Sequence, residues 1–400
     1  MKSLTLVLLV ASSAAAQPAP RDVDITAPDG VHLKGTYFTA QAVPGGSAKA
    51  GVPAVILLHM CNTTRVSWEP VAQQLAAAGI NALTVDNRGF GDSGGPRFDA
   101  AAPDVQRELN QKWPADFDAA LAWLEAQPGV SRDRIGVGGG SCGVNNAVQL
   151  ARRHPEVRSL VLLAGPPDAD PANADGLNYL MSHAWLPIFT AAAADDQYDP
   201  HFLEMMRWLA EITGNPRNKF VGFKYGRHGT EIFGPHPELP RQIVAWFEDT
   251  LITSPANPGV SFMPKKTPIS EFWAAANQRG GAVRAAQLFR QARQRDPHAF
   301  LFPEFPLNLL AYSKLQSADR ADKDHAVELF RVNTEAYPTS ANAQDSLADG
   351  YIAQGRNDLA LAAEQKCLEL LAADAITEQF RAQLRKAAEG KIAKLKAKLH

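Results

Sequence analysis

Two short stretches of alternating apolar and polar residues, Asp22–Thr26 and Val31–Tyr37, meet at Asp29-Gly30. Alternation turns one face of a strand inward, and an Asp-Gly pair is a hairpin signal. After a Gly/Pro/Ala/Ser loop over residues 42–53 the pattern changes. Ala54-Val55-Ile56-Leu57-Leu58 is apolar throughout, as a strand covered on both faces is. Trp68–Ala78 has helical period and is closed by Gly79, and Ile80–Val85 reads as the next strand. A polar segment to Gln111 leads into a helix from about Pro114 to Ala126, with Pro114 at the first helical position. Strands follow into Gly140, over Leu160–Leu163, within Trp185–Ala192 and over Lys219–Lys224, then an amphipathic helix over Pro237–Leu251. Strands alternating with helices predict an open, mainly parallel α/β sheet with flanking helices.

Past residue 252 the pattern is helical. Thr253–Pro268 has four prolines with Ser and Gly, the composition of a linker. Beyond it Leu288-Phe289-Arg290 recurs as Leu329-Phe330-Arg331, and Asp296-Pro297 aligns with Tyr337-Pro338, so residues 269–400 predict an all-α domain of helix pairs. Gln379–His400 sets seven Lys/Arg against Glu389, with Phe380, Leu384, Leu395 and Leu399 on one stripe. That helix either caps the array or meets an anionic surface.

The 400 residues suit two domains, and 46% apolar with 20% charged residues describe a globular protein. A formal charge of -2 gives no electrostatic reason to expect nucleic acid or an anionic membrane as partner. Met1-Lys2, the apolar run Leu4–Val10 and Ala14-Ala15-Ala16 read as a signal peptide cut after Ala16. The run is too short to span a bilayer, so the expected protein is exported, periplasmic or secreted. Three cysteines, Cys61, Cys142 and Cys367, make no disulfide framework and no pair has metal-ligand spacing. No metal or organic cofactor is implied.

The candidate chemistry starts at Gly139-Gly140-Ser141-Cys142-Gly143, which fits G-x-S-x-G. At a sharp strand-to-helix corner the flanking positions must be small, and Ser141 is lifted above the sheet edge as a nucleophile. A glycine-rich turn with an incidental serine would read the same way. Cys142 is the lesser nucleophile, because no glycine stands two residues after it. A serine hydroxyl needs a base, and His228, in the loop Tyr225-Gly226-Arg227-His228-Gly229, is the candidate. His59 and His154 are its rivals; His59 ends a strand and His154 lies at the far end of the elbow helix. Asp195 and Asp196 are adjacent candidates for the acid that orients the imidazole.

Together with His59 and the loop Asp86-x-Arg88-Gly89-x-Gly91-x-Ser93, these motifs make residues 22–252 resemble an α/β-hydrolase, on the dienelactone-hydrolase-like side with a small lid. The resemblance implies Ser141, Asp196 and His228 as the triad, with Asp196 preferred to Asp195. It implies an oxyanion hole from the backbone amides of Cys142 and of Met60 or Cys61. The family often has glycine after this histidine, whereas here Met60-Cys61 follow. Cys61 and Cys142 would flank the hole on facing loops, either as two buried thiols or as a disulfide bracing it. The Asp86–Ser93 loop reads as structural, and Gly95–Gln111 as the substrate-facing cover. Residues 326–372, with Leu347, Ala348, Tyr351, Gly355 and Ala360, resemble a tetratricopeptide repeat, and 271–315 do so more weakly. That implies peptide or protein binding, or a scaffold for self-association. The expected function is an exported serine esterase acting through an acyl-enzyme on a small-molecule or polymeric ester or amide. Peptide or lactone cleavage on the same triad is one rival; a non-catalytic assembly protein is another.

Overall fold

The computed structural model describes residues 18–41, 51–168, 175–199, 201–259, 261–374, 376 and 378–399; the expected signal peptide over 1–16 lies outside them. The strands are β1 (Arg21–Thr26), β2 (His32–Phe38), β3 (Val52–Leu58), β4 (Asn81–Val85), β5 (Val130–Gly140), β6 (Val157–Leu163), β7 (Ile188–Ala193) and β8 (Lys219–Phe223). They form a single sheet in the order β1-β2-β4-β3-β5-β6-β7-β8. β2 pairs antiparallel with β1 and β4; every pairing from β4 to β8 is parallel. Burial follows position: edge strand β1 alternates, whereas β4 and β7 are buried at every residue.

Six helices flank the sheet among the described residues: α1 (Glu69–Ala77), α2 (Pro103–Glu125), α3 (Cys142–Arg153), α4 (Asp175–Ser182), α5 (Phe202–Glu211) and α6 (Glu238–Glu248). The period-two rule of strands sorts them. Val55 and Leu57 of β3 share a core with Val71, Leu75, Ile243 and Phe247 of α1 and α6. Ala54, Ile56 and Leu58 of the same strand share the opposite core with Phe117 of α2 and Val148 of α3, and Leu209 of α5 belongs to that core too.

Two expectations are corrected. The helix placed at Pro114–Ala126 is α2, which starts eleven residues earlier at Pro103 and carries Pro114 in its interior. Leu109, Trp113, Phe117, Leu121 and Leu124 are its buried stripe, so the polar stretch before Pro114 is a solvated helix face. The turn around Pro114 lacks an amide donor. Arg153 of α3 donates to the Pro114 carbonyl at 3.1 Å and grips Asp118 one turn on. The segment Gly95–Gln111, expected as a cover, is therefore largely the first turns of α2. Before it, Phe98 stacks on Phe90 with ring centroids 5.0 Å apart.

After Lys265, whose amide donates to Gly214 at 2.6 Å, the chain is helical: α7 (Pro268–Asn277), α8 (Ala282–Arg295), α9 (Glu304–Leu315), α10 (Arg320–Ala336), α11 (Ala341–Ala353), α12 (Asn357–Leu370) and α13 (Glu378–Leu399). Thr267, Asp319 and Ser340 cap α7, α10 and α11 with side-chain oxygens. α8 packs on α7 and on α10, and from α9 onward each helix packs on the next. One apolar core runs unbroken from the sheet through Trp208 of α5, 5.1 Å from the Trp273 ring of α7, to Phe330 of α10. No described helix is long and apolar enough to cross a membrane.

α13 buries Leu384, Ala388 and Leu395, and half-buries the Lys391 ammonium beside them. Lys391 Nζ lies 2.9, 2.6 and 3.2 Å from carboxylates of Asp345, Asp349 and Glu364. Glu364 is fully buried, and burial pushes its carboxyl up to about 8, with Asp345 beside it acting in the same direction and the Lys391 ammonium opposing. The folded chain therefore holds a proton that the unfolded chain releases above the ordinary Glu range. Stability from this group is fully present below that range and is lost as pH rises to about 8. Glu364→Gln is expected to flatten the pH dependence of the urea midpoint between pH 5 and 8, by at most about 1.4 kcal/mol per pH unit for one proton. An unchanged slope in the variant would remove Glu364 as its source.

Candidate active site

The elbow is built by close approach. Ser141 follows the last residue of β5 with φ 54° and ψ -123°, a left-handed conformation that side chains rarely adopt, and α3 begins at the next residue. A Cβ on Gly139 would stand 2.0 Å from the Gly143 carbonyl oxygen, and one on Gly143 would stand 2.5 Å from that of Leu58. Both motif glycines are therefore required by backbone packing. The Ser141 amide donates to Leu163 of β6 at 2.8 Å, which holds the corner against the sheet. The Cys142 amide belongs to the first turn of α3, where N–H groups have no intrahelical acceptor and the helix dipole favours negative charge.

His228 and Asp196 are brought together. Nδ1 of His228 lies 2.7 Å from Asp196 Oδ2, and both residues are buried. Asp196 Oδ1 accepts from the Tyr198 amide at 2.9 Å, so the carboxylate is held from both sides. Asp195 points elsewhere: it is exposed and accepts from the Arg227 amide at 2.9 Å, tying down the histidine loop where Arg227 itself has φ 63°. Among the described residues no hydrogen bond joins the Ser141 hydroxyl to the His228 ring. In resting enzymes that contact is often long and closes with substrate.

The rival histidines are otherwise engaged. His59 is fully buried; Nε2 accepts from the Asn87 amide at 2.9 Å, so Nδ1, 2.6 Å from the Met60 carbonyl, carries the proton and donates. Burial pushes its pKa down, and both nitrogens are spent fixing the loop. His154 sits at the far end of α3 between Asp118 and Glu156.

Met60 explains how serine and histidine loops come to be neighbours. It is fully buried, and its thioether accepts from the Thr230 amide at 3.4 Å. A Cβ on Gly229 would stand 2.4 Å from its sulfur, and one on Gly140 3.2 Å from its Cγ. The side chain thus fills the space beside the residue before Ser141 and the residue after His228. Cys61 and Cys142 are joined in a disulfide, with Cα atoms 5.8 Å apart. Of the two readings the sequence left open, the bridge is the one present.

Three contacts at the rim escaped the sequence reading. The Tyr198 ring lies 4.5 Å from that of His228, the Phe202 ring 5.5 Å from it, and the Tyr198 hydroxyl accepts from Asn62 at 3.0 Å. The available signal was spacing: Tyr198 and Phe202 stand two and six residues after Asp196. Arg88 ties its loop down, as expected, forking to Asp29 at 2.6 and 2.7 Å and to Asp116 at 2.9 and 2.7 Å. Asp86 receives the Arg65 guanidinium and the amides of Arg65 and Asp92.

Sheet order, the strand–serine–helix corner and the acid after β7 define an α/β-hydrolase fold, extended by a C-terminal helical array. A family model described as the alpha/beta hydrolase fold matches residues 53–196. An uncharacterized protein of Mycobacterium tuberculosis is 32% identical over 179 residues, 45% of this chain and 55% of that protein. Esterase YjfP of Escherichia coli is 29% identical over 130 residues, 31% of this chain and 49% of the esterase. A thiohydrolase of Arthrinium phaeospermum is 32% identical over 141 residues, 35% of this chain and 41% of that protein. The chain thus spans about half the length of these relatives. Among solved structures, esterase Pf2001 of Pyrococcus furiosus is 22% identical with TM-score 0.44, covering 58% of this chain and 93% of that one. Est1E of Butyrivibrio proteoclasticus, solved with ferulic acid, is 17% identical with TM-score 0.46, covering 58% and 100%.

Proposed function

We propose that this protein is an exported serine hydrolase that cleaves carboxylic esters through an acyl-enzyme. The carrying observation is the pairing of a strained, corner-mounted Ser141 with a neighbouring loop that buries a 2.7 Å His228–Asp196 contact. His228 takes the Ser141 proton as the hydroxyl attacks the acyl carbon, then returns it to the leaving alcohol. Asp196 holds the ring in the tautomer with Nε2 free and stabilises the imidazolium. The Cys142 amide and one from the Met60–Cys61 segment receive the developing oxyanion. Water then repeats the cycle to release the acid. The esterase and thiohydrolase names among the relatives support testing oxygen and sulfur esters side by side. The helical array, by its likeness to tetratricopeptide repeats, is assigned to binding a peptide or protein or to self-association.

The test is fluorophosphonate labelling of the mature protein, followed by a panel of aryl esters, a thioester, a lactone and a peptide amide. Labelling at Ser141 with turnover of esters is the expected result. A folded protein that takes no label would sink the proposal and leave the assembly-protein reading. The two aspartates offer an internal control. Asp196→Asn is expected to lower kcat about ten-thousandfold by releasing the wrong tautomer, whereas Asp195→Asn keeps kcat within about threefold, because its amide oxygen still accepts from Arg227 in an exposed loop. Equal losses would reassign the acid.

A further inference from the structure

The disulfide occupies a telling place in the sheet. β3 and β5 are parallel neighbours, with Leu58 opposite Gly139. Cys61 and Cys142 each stand three residues beyond that pair, where the two strands leave the sheet at the same level. Cys142 directly follows Ser141, and Cys61 is the first residue after Met60, which is locked by burial. Two amides that each approach one oxyanion at about 2.9 Å must lie within about 6 Å of each other. A disulfide holds its Cα atoms about 4.4–6.8 Å apart, and these are at 5.8 Å.

We infer that the Cys61–Cys142 bridge is the spacer of the oxyanion hole: it positions the Cys61 amide, rather than that of Met60, opposite the Cys142 amide. This rests on the reading of Ser141 as nucleophile. Each neighbour of Cys61 has its own anchor. The Met60 thioether accepts from Thr230, and the Asn62 amide reaches the Tyr198 hydroxyl across an exposed rim. Cys61, a half-buried residue, is fixed through its sulfur. The bridge touches no reacting atom. It acts through the two backbone donors, so its contribution appears when negative charge develops on the acyl oxygen and not when the ester first binds.

The experiment compares wild type, Cys61→Ala, the Cys61→Ala/Cys142→Ala double variant, and wild type reduced by a phosphine. In the last, phosphorus attacks one sulfur and the S–S bond breaks. Water supplies the oxygen of the phosphine oxide and the two thiol protons. Both half-cystines are partly exposed, so the reductant has access. The expected result for all three bridge-free forms is a kcat lower by about 10- to 100-fold, short of the loss of a whole donor. Affinity for a trifluoromethyl ketone, which forms a tetrahedral oxyanion on the serine, should fall by a similar factor. KM for the ester should stay within about twofold and the pH at half-maximal kcat should not move, because the His228–Asp196 pair is untouched. Opening a long loop also destabilises the fold. If the alanine variants unfold, the split is read on reduced wild type below its melting temperature. Bridged and reduced wild type that turn over and bind the ketone equally would overturn the spacer. A shift of kcat, KM and pH profile together would overturn it too, by marking general loosening. Wild type that fails to label with fluorophosphonate would instead remove the serine-hydrolase reading beneath it.

Discussion

Ser141→Ala is expected to lower kcat for an activated ester by about a millionfold while leaving the denaturation midpoint close to wild type. His228→Ala is expected to do nearly as much. Under the proposed mechanism the groups act as one device: a hydroxyl without its base is a poor nucleophile, and a base without the hydroxyl has nothing to activate. The double variant should therefore lose little beyond either single one, leaving the residual rate that an oxyanion hole and binding supply. Ester kinetics with burst-phase analysis reads this directly. Losses that multiply in the double variant would mean that Ser141 and His228 work independently, which the proposed mechanism forbids. Ser141 also occupies a left-handed conformation at φ 54°, so Ser141→Gly should relieve strain and match or exceed wild-type stability while remaining inactive.

The second large effect is on folding. Arg88 and Asp116 are buried side chains that meet in a two-pronged contact, and Asp29 occupies the other side of the guanidinium. The paired guanidinium holds the Asp29 carboxyl down at about 2, whereas burial pushes that of Asp116 up against the pull of Arg88. Removing the arginine strands a carboxylate in the core. Arg88→Ala is therefore expected to cost about 3–5 kcal/mol in equilibrium urea unfolding. The pair itself carries less than that figure, because taking two charges out of water offsets most of their attraction. Arg88→Met combined with Asp116→Leu should recover most of the loss. A double variant as unstable as the single one would show that the fork, and not the stranded charge, holds the Asp86–Ser93 loop.

What the sequence made legible divides by the range of the cause. β3 and β6 are near-continuous apolar runs, and Gly139–Gly143 is a contiguous motif, so each announces itself locally. Asp196 and His228, which the structure brings into contact, were singled out by the family resemblance and because each follows a strand of recognisable composition. The start of α2 was hidden because its solvated face is as polar as a loop, and Pro114 imitates a first helical residue. Lys391 was hidden in another way. It sits in a helix with seven basic residues and reads as one more solvated charge, while its partners Asp345, Asp349 and Glu364 lie on α11 and α12. The Tyr198 and Phe202 rings were missed because their partner, His228, comes from a different strand end. The disulfide stood between these extremes: one register in the sheet, that of Leu58 beside Gly139, was enough to bring its cysteines level.

α5 has a consequence for how the two parts of this chain can cooperate. Its first residue, Phe202, lies against the His228 ring, and less than two turns later Trp208 lies against Trp273 of the helical array. The stretch between Thr253 and Pro268 is consequently no leash that lets one part roam around the other. A ligand seated on the helices would be presented to Ser141 at one bearing and one distance, as a jig holds a workpiece to a tool. On the proposed reading the array would set reach rather than raise local concentration, admitting those ligands whose scissile bond falls at that fixed offset.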